Sequence, residues 1–318
     1  MKQHKLGNRE VSAIGLGLMN VSWIWSNGAA LDPIRRYESA IPAIHAGLDA
    51  GITFLDTSDI YAPTWDAFGH NEVFAAEALR TWPGSKDQKD RVVIATKGGI
   101  TRRPGEVWGR NSSLDYLLRA AEASAGRLGV DKIDLWQHHR LDPEIIFETQ
   151  VANIGVLKER GIVDQVGVSN YDASQLEIAI KMLGGPDQGG IVSVQNEFSP
   201  RYRYDLDVLE VCEKYGIAFL PWSPLGGVNS HSEIANQSVF EELATKYAST
   251  PHALALAWEM KSSISVLPIP GATRAESILD CASAVELEIS EQDFEHINQN
   301  LPEQSNYSSE LLPKPGHR

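Results

Sequence analysis

Short apolar runs alternate along the chain with longer segments in which apolar residues recur at helical spacing. Polar turns separate the two kinds of segment, as in repeated strand–helix units. The short runs predict eight strands, which span residues 12–18, 53–58, 92–98, 132–138, 164–170, 192–198, 218–224 and 265–271. Several of the helical segments end in glycine, which favours a left-handed cap before the next strand.

Eight strand–helix units with no break in composition predict one α/β domain over residues 1–318, a closed (β/α)8 TIM barrel. Such barrels take about 250 residues, so the remainder is assigned to additions. These are an N-terminal β-hairpin at 4–12, a long first loop at 20–37, an insertion at 62–69, a loop at 226–237, an extra helix near 238–248, and a C-terminal helix and tail. A doubly wound sheet is the alternative, and the GxGxxG motif that would favour it is absent from the sequence.

The charge and the cysteine content narrow the class of protein. The net charge is −14, and no cluster of five or more Lys or Arg occurs, so we expect neither nucleic acid nor an anionic membrane as a partner. Only Cys212 and Cys281 are present, too few for a disulfide framework or a thiolate metal site, which suits a reducing cytoplasm. No apolar run reaches the roughly 18 residues of a membrane span.

Polar side chains cluster where the predicted strands end. In a barrel of this kind the chemistry lies at the carboxyl ends of the strands. The residues there are Asp56 with Tyr61, Lys97, Gln137 with His138 and His139, Ser169 with Asn170, Gln195 with Asn196, and Trp222 with Ser223. Each alone fits a structural role as a helix cap, a packing residue or a solvated charge. An acid, a phenol, an amine and an imidazole at one rim together predict a proton-transfer site.

The adjacent histidines His138 and His139 raise the question of which one faces that rim. Successive strand residues point to opposite faces, so only one of the two side chains can point into the barrel mouth. Periodicity leaves the choice open, because parallel strands are apolar on both faces. A metal site on the pair is disfavoured for the same geometric reason.

Seven motifs, in order, are similar to those of the aldo-keto reductase family over essentially the whole chain. They are FLDTSDIY, VVIATKGG, IDLWQHHRLDP, VGVSNY, VQNEFSP, PWSPLGG and PIPGATR. The resemblance implies a monomeric or weakly associating barrel that binds NADP(H) without a Rossmann domain. It also implies reversible reduction of a small-molecule aldehyde or ketone.

The resemblance implies a role for each catalytic candidate. Tyr61 would be the general acid, and Lys97, held by Asp56, would favour its phenolate; a free phenol titrates near about 10. The family's histidine lies five residues after the Asp of IDL, which matches His139 and implies a hydrogen bond to the substrate oxygen. His138 would then pack against the helix layer.

The cofactor site is implied in the same way. Ser169, Asn170 and Gln195 would hold the nicotinamide carboxamide, and Trp222 would stack on the ring. Ser223, Leu225 and Gly226 would line the pyrophosphate, and Gly271 and Arg274 would contribute from the segment after the last strand. Arg274 can bind a 2′-phosphate, which favours NADP(H). Ser277, Asp280 and Cys281 depart from the family pattern, so use of NAD(H) stays open.

The substrate pocket and the class of activity leave alternatives. Trp23, Trp65 and Trp108 lie in loops near the rim and suit an apolar or ring-shaped carbonyl compound, although loop tryptophans often only anchor a loop. A redox-sensing regulatory subunit with slow turnover is one alternative function. An aldolase with a Schiff base on Lys97 is another, which a charged Lys97 beside Asp56 disfavours.

Overall fold

The structure is a computed structural model that describes residues 1–22, 33–227, 234 and 237–304, with residues 33–39 described by their backbone only. Its strands are β1 (Gln3–Leu6), β2 (Arg9–Ser12), β3 (Leu16–Gly17), β4 (Phe54–Asp56), β5 (Val93–Gly98), β6 (Ile100–Arg103), β7 (Val107–Arg110), β8 (Ile133–His138), β9 (Val163–Ser169), β10 (Ile191–Gln195) and β11 (Ala218–Phe219). Seven of these, in the order β3, β4, β5, β8, β9, β10 and β11, form one curled sheet. All neighbouring pairs in that sheet are parallel.

Helices connect the strands of this sheet, as parallel neighbours require. They are α1 (Met19–Ser22), α2 (Pro33–Asp49), α3 (His70–Thr81), α4 (Lys86–Lys89), α5 (Leu114–Leu128), α6 (Phe147–Glu159), α7 (Ala173–Leu183), α8 (Leu206–Tyr215), α9 (Ser238–Lys246), α10 (Pro251–Ser262), α11 (Ala275–Ser283) and α12 (Glu291–Gln299). Among the described residues, no helix is both long and apolar enough to cross a membrane.

The segment 265–271 closes the barrel without forming a regular strand. Gly15 N donates to Pro268 O at 2.8 Å, and Gly17 N donates to Pro270 O at 3.0 Å. On the other side, Leu267 N donates to Phe219 O at 2.8 Å. Proline has no N–H to donate, so the ladder is interrupted where an eighth strand was expected. The predicted TIM barrel is confirmed, and its last strand is reduced to isolated bridges.

Two further expectations from the sequence differ from the structure. Of the predicted strand at 218–224, only the two residues of β11 form a strand. The predicted loop at 20–37 contains the end of α1 and the start of α2, and its residues 23–32 lie outside the described part of the chain. The antiparallel hairpin β6–β7 was not anticipated, since its polar strands show no apolar alternation.

The barrel interior and the helix layer have separate cores. Phe54, Val93, Ala95 and Leu135 pack inside the barrel together with Leu6 of the N-terminal hairpin. Because side chains alternate along a strand, the same inward face continues from Val93 and Ala95 to Lys97 on β5. The apolar interior therefore ends in a polar layer at the carboxyl ends of the strands.

Candidate active site

A buried ion pair between Lys97 and Asp56 lies at the centre of that polar layer. Lys97 Nζ donates to Asp56 Oδ2 at 2.6 Å, and the two side chains are 0% and 4% exposed. The ammonium also donates to Thr57 O at 2.8 Å and contacts Tyr61 OH at 3.3 Å. An ammonium has three N–H donors, so these partners account for all of them. The fixed, charged amine disfavours a Schiff-base role for Lys97.

Asp56 is held from two other strands of the barrel. Gln195 Nε2 on β10 donates to Asp56 Oδ1 at 2.8 Å, and Gln137 Nε2 on β8 approaches the same oxygen at 3.4 Å. A buried ion pair is stable only when hydrogen bonds satisfy its remaining atoms. The two amides supply those bonds to the carboxylate.

Burial and charge act in opposite directions on Tyr61. Burial raises the pKa of the Tyr61 phenol above its ordinary value, and the nearby Lys97 charge opposes that rise. Burial alone would lower the pKa of Lys97, yet the attraction of Asp56 and Tyr61 leaves that pKa above its usual value. The net shift of the phenol is upward, whereas the sequence suggested a more acidic group. Tyr61 is therefore protonated at neutral pH.

His139 lies beside the phenol at the mouth of the barrel. Its ring meets the Tyr61 ring edge-on, with centroids 5.8 Å apart and planes at 84°. Its Nδ1 lies 3.2 Å from Ser58 Oγ. Burial lowers the pKa of His139 well below its usual value, and the Lys97 and Arg140 charges act in the same direction. The imidazole is therefore neutral, with one N–H and one acceptor nitrogen.

His138 faces the helix layer instead. Its Nε2 lies 2.7 Å from Ser112 Oγ, and its Nδ1 lies 3.0 Å from Tyr171 OH. Burial lowers the pKa of His138 to about 3, with a further contribution from the Arg110 charge. Both ring nitrogens thus have partners other than Tyr61, as expected of a packing histidine.

Asn170 and Trp222 form the neighbouring part of the rim. Asn170 Nδ2 donates to Ser169 Oγ at 2.8 Å and to His139 O at 3.2 Å, and Trp222 Nε1 donates to Asn170 Oδ1 at 3.2 Å. Both side chains are half-buried. Ser169 and Gln195 are more deeply placed: the Ser169 hydroxyl donates to Gln195 O at 2.7 Å, and the Gln195 amide turns to Asp56.

A turn with positive φ angles follows Trp222. Ser223, Gly226 and Gly227 have φ of 54°, 79° and 90°, and Gly226 N donates to Ser223 O at 2.8 Å. Glycine adopts such angles without a side-chain clash, so the backbone can come close to a ligand here. Leu225, between them, packs against the core.

Gly271 and Arg274 lie beyond the closing segment. Gly271 pairs with Gly17 across the closure, and a side chain at Gly271 would approach Asn20 Nδ2 to 2.9 Å. Arg274 precedes α11, is exposed, and its Nη2 lies 3.3 Å from Ser277 Oγ. A cation therefore stands at the start of this helix.

Comparisons with known proteins agree on one family. The model of the Aldo/keto reductase family matches residues 13–301. An uncharacterized oxidoreductase of Schizosaccharomyces pombe is 30% identical over 297 residues, which covers 93% of this chain and 88% of that protein. A probable aldo-keto reductase 1 of Glycine max is 29% identical, with 94% and 88% covered. The chain belongs to the aldo/keto reductase family.

Solved structures of other aldo/keto reductases share the fold. The thermostable enzyme Tm1743, solved with the inhibitor epalrestat, superposes with a TM-score of 0.73 at 25% identity and covers 94% of this chain and 99% of its own. An enzyme from Klebsiella pneumoniae, solved in complex with NADPH, has a TM-score of 0.74 at 24% identity, with 96% of each chain covered. Membership of the aldo/keto reductase family makes this protein an oxidoreductase.

Of the three predicted pocket tryptophans, two are described in this aldo/keto reductase. Trp65 is 38% exposed. Trp108 stacks on the Arg102 guanidinium at 4.9 Å, and Arg102 Nη1 donates to Ala62 O at 2.8 Å, which ties β6 to the insertion after Tyr61. Trp23 lies outside the described residues. Within the described ranges, no group of three or more His, Cys, Asp or Glu is arranged to hold a metal ion.

The sequence analysis gave no role to three residues that the structure places at the site. Gln137 reaches Asp56, Ser58 contacts His139, and Asn196 accepts from Asn170 N at 2.7 Å. Gln137 and Asn196 stand at strand ends, which was a usable signal. Ser58 ends the predicted strand 53–58 and so carried the same signal, but its contact with His139 depends on the turn between Asp56 and Tyr61.

Proposed function

We propose that this aldo/keto reductase uses NADP(H) to reduce an aldehyde or ketone reversibly. The observation that carries the proposal is the buried set of Asp56, Lys97 and Tyr61, in which one ammonium contacts both the carboxylate and the phenol. The Klebsiella pneumoniae enzymes solved with NADPH or NADP support the choice of cofactor.

The donor set of the rim suits a nicotinamide dinucleotide. The half-buried Trp222 ring and the Asn170 amide suit a planar carboxamide-bearing ring. The Ser223–Gly227 turn would offer a pyrophosphate its backbone N–H groups other than that of Gly226, which donates to Ser223 O. Arg274 at the start of α11 would hold a 2′-phosphate, with support from the helix dipole. Arg274→Ala should therefore weaken binding of NADPH more than that of NADH, as measured by fluorescence titration. Equal losses for the two cofactors would exclude Arg274 as the phosphate-binding residue.

When bound, NADPH supplies the hydride. Tyr61 OH donates its proton to the carbonyl oxygen as negative charge develops there. Lys97 Nζ, 3.3 Å from that phenol oxygen, then stabilises the phenolate, and Asp56 keeps the ammonium in position. The neutral His139 holds the carbonyl oxygen by a hydrogen bond. Burial of these groups excludes water, which strengthens each of these interactions.

The proposal is tested by NADPH oxidation with a panel of aromatic aldehydes, sugars, pyridoxal and diketones. The natural protein should oxidise NADPH with at least one class. Tyr61→Phe should lose at least about 100-fold in kcat, the lower range for general acid catalysis, while its dissociation constant for NADPH stays unchanged. Turnover retained by Tyr61→Phe would exclude the role given to the phenol. Binding of NADPH without turnover of any carbonyl compound would favour a redox-sensing subunit.

A further inference from the structure

A chain of hydrogen bonds connects the buried carboxyl of Asp205 to the rim. Asp205 precedes α8 and is 2% exposed. Asn196 Nδ2 donates to Asp205 Oδ2 at 2.9 Å, and Asn170 N donates to Asn196 Oδ1 at 2.7 Å. Asn196 therefore links the carboxyl directly to the backbone of Asn170.

Asp205 is one of three groups that set which way the Asn196 amide faces. The amide nitrogen donates to Tyr171 O at 2.8 Å as well as to Asp205, so both of its hydrogens are used. The amide oxygen is then the atom that faces the Asn170 N–H. The reversed amide would set its N–H groups against Asn170 N–H and its oxygen against Tyr171 O and the carboxyl. The acceptor oxygen of Asp205 therefore adds to an orientation that the two backbone groups already favour.

Asn170 needs such support because its backbone is left-handed. Its φ is 60°, a region sparsely populated by residues other than glycine, although asparagine tolerates it. Hydrogen bonds from the surroundings hold a residue in such a conformation. The same conformation sets the direction of the Asn170 amide, which contacts Trp222 Nε1 and His139 O.

The surroundings of Asp205 raise its pKa, so that the carboxyl titrates near pH 7. Burial raises the pKa of Asp205 to about 7, the hydrogen bond from Asn196 opposes the rise, and the carboxylates of Asp207 and Asp172 add to it. Asp207 is in the first turn of α8, and Asp172 is the N-cap of α7. Below about pH 7 the carboxyl carries a proton, and above it the group is an acceptor-only anion.

We propose that Asp205 is a positioning residue for Asn170, acting through Asn196, and that its loss of a proton weakens the binding of NADPH. The second part rests on the proposed function. Ionisation adds a buried negative charge behind the rim, and the cofactor is itself an anion, so binding is coupled to uptake of a proton by Asp205.

The relay is tested first in the protein without cofactor, by following the Asn170 backbone amide resonance in NMR spectra from about pH 5 to pH 9. The natural protein should show an inflection near pH 7, and Asp205→Asn should show none. Asp207→Asn changes an exposed carboxylate on the same helix and should keep the inflection at a lower pH. The proposal is overturned if the natural protein shows no inflection or if Asp205→Asn still shows one. It is also overturned if the inflection of Asp207→Asn lies at the same pH as that of the natural protein.

Cofactor affinity is the second readout. The ratio of the NADPH dissociation constants of the natural protein and Asp205→Asn should rise by about fivefold or more from pH 6 to pH 8, a modest coupling between sites. The ratio cancels the titration of the cofactor's own phosphate. A constant ratio overturns the link to cofactor affinity. Absence of NADPH binding in both proteins would reject the proposed function, while the NMR titration would still decide the relay.

Discussion

Gln195 Nε2 donates to Asp56 Oδ1 at 2.8 Å, although 139 residues separate the two along the chain. The contact joins opposite parts of the barrel wall, since Asp56 ends β4 and Gln195 ends β10. It assigns Gln195 to the support of the ion pair between Asp56 and Lys97. A residue expected from the resemblance to hold the carboxamide thus already has a partner inside the barrel.

The substitution Gln195→Leu should lower the free energy of unfolding by about 1–3 kcal/mol, because it leaves a buried carboxylate oxygen short of a donor. It should also lower kcat, since the position of Lys97 depends on Asp56. Chemical denaturation and steady-state kinetics measure the two effects. Gln137→Leu is the comparison for kcat, because its contact with Asp56 is longer, at 3.4 Å, and should matter less; its stability cost also includes the lost acceptor of the Ser193 hydroxyl. A change confined to the NADPH dissociation constant would mean that Gln195 serves the cofactor alone.

The ion pair between Lys97 and Asp56 gives a second prediction. Lys97→Met should destabilise the protein by about 3–5 kcal/mol, because the Asp56 carboxylate is left buried without its cation. The double substitution Asp56→Asn with Lys97→Met should recover much of that loss, since no charge is then buried. Activity should stay absent in both variants. Thermal unfolding measures the stability of the variants, and carbonyl reduction assays measure their activity. Restored turnover in the double variant would show that Lys97 is not required for the reaction.

Much of this arrangement could be predicted from local pattern. The apolar runs that form β5, β8 and β9 are buried on both faces. A parallel strand of this kind has a nearly continuous apolar run, which can be recognised in the sequence. The polar residues at the strand ends followed from the same reasoning. The last strand was predicted wrongly although the sequence held the signal, because Pro268 and Pro270 interrupt a run that otherwise has strand character and proline cannot donate to a ladder.

Contacts between residues that are distant in the sequence could not be predicted from local pattern. Periodicity could not separate His138 from His139, because both faces of β8 are buried. The difference lies in what surrounds each ring: Ser112 and Tyr171 for His138, and Tyr61 with Ser58 for His139. The upward shift of the Tyr61 pKa was missed for a related reason, since the extent of burial is a property of the folded chain.

The two histidines should therefore respond differently to substitution. His139→Ala should reduce kcat for carbonyl reduction by about 100-fold, the loss of one donor to the developing oxyanion. His138→Ala should mainly lower stability, by about 1–3 kcal/mol for each buried hydroxyl left unpaired at Ser112 and Tyr171. Kinetics and thermal unfolding of the two variants measure this contrast. Equal losses of kcat would contradict the assignment of His139 to the rim.

The buried carboxyl of Glu259 predicts a dependence of stability on pH. Glu259 lies in α10 with 0% exposure, and neither carboxyl oxygen has a hydrogen-bond partner in the part of the chain that the structure describes. Burial raises the pKa of Glu259 well above its usual value. Between its ordinary pKa and this raised value, the folded state keeps a proton that the unfolded state has lost. Stability therefore falls as pH rises through that interval, by about 1.4 kcal/mol per unit.

Glu259→Gln removes this titration and keeps the size of the side chain. The variant should match the natural protein at about pH 4, below the ordinary pKa of Glu, and should exceed it in free energy of unfolding increasingly as the pH rises above that value. Denaturation curves at several pH values measure the difference, which isolates one group from all others that titrate. Glu295→Gln, at an exposed position on α12, is the control and should leave the pH dependence unchanged. If Glu259→Gln and the natural protein kept a constant difference in stability across the range, Glu259 would be ionised in the folded state and would have found a partner there.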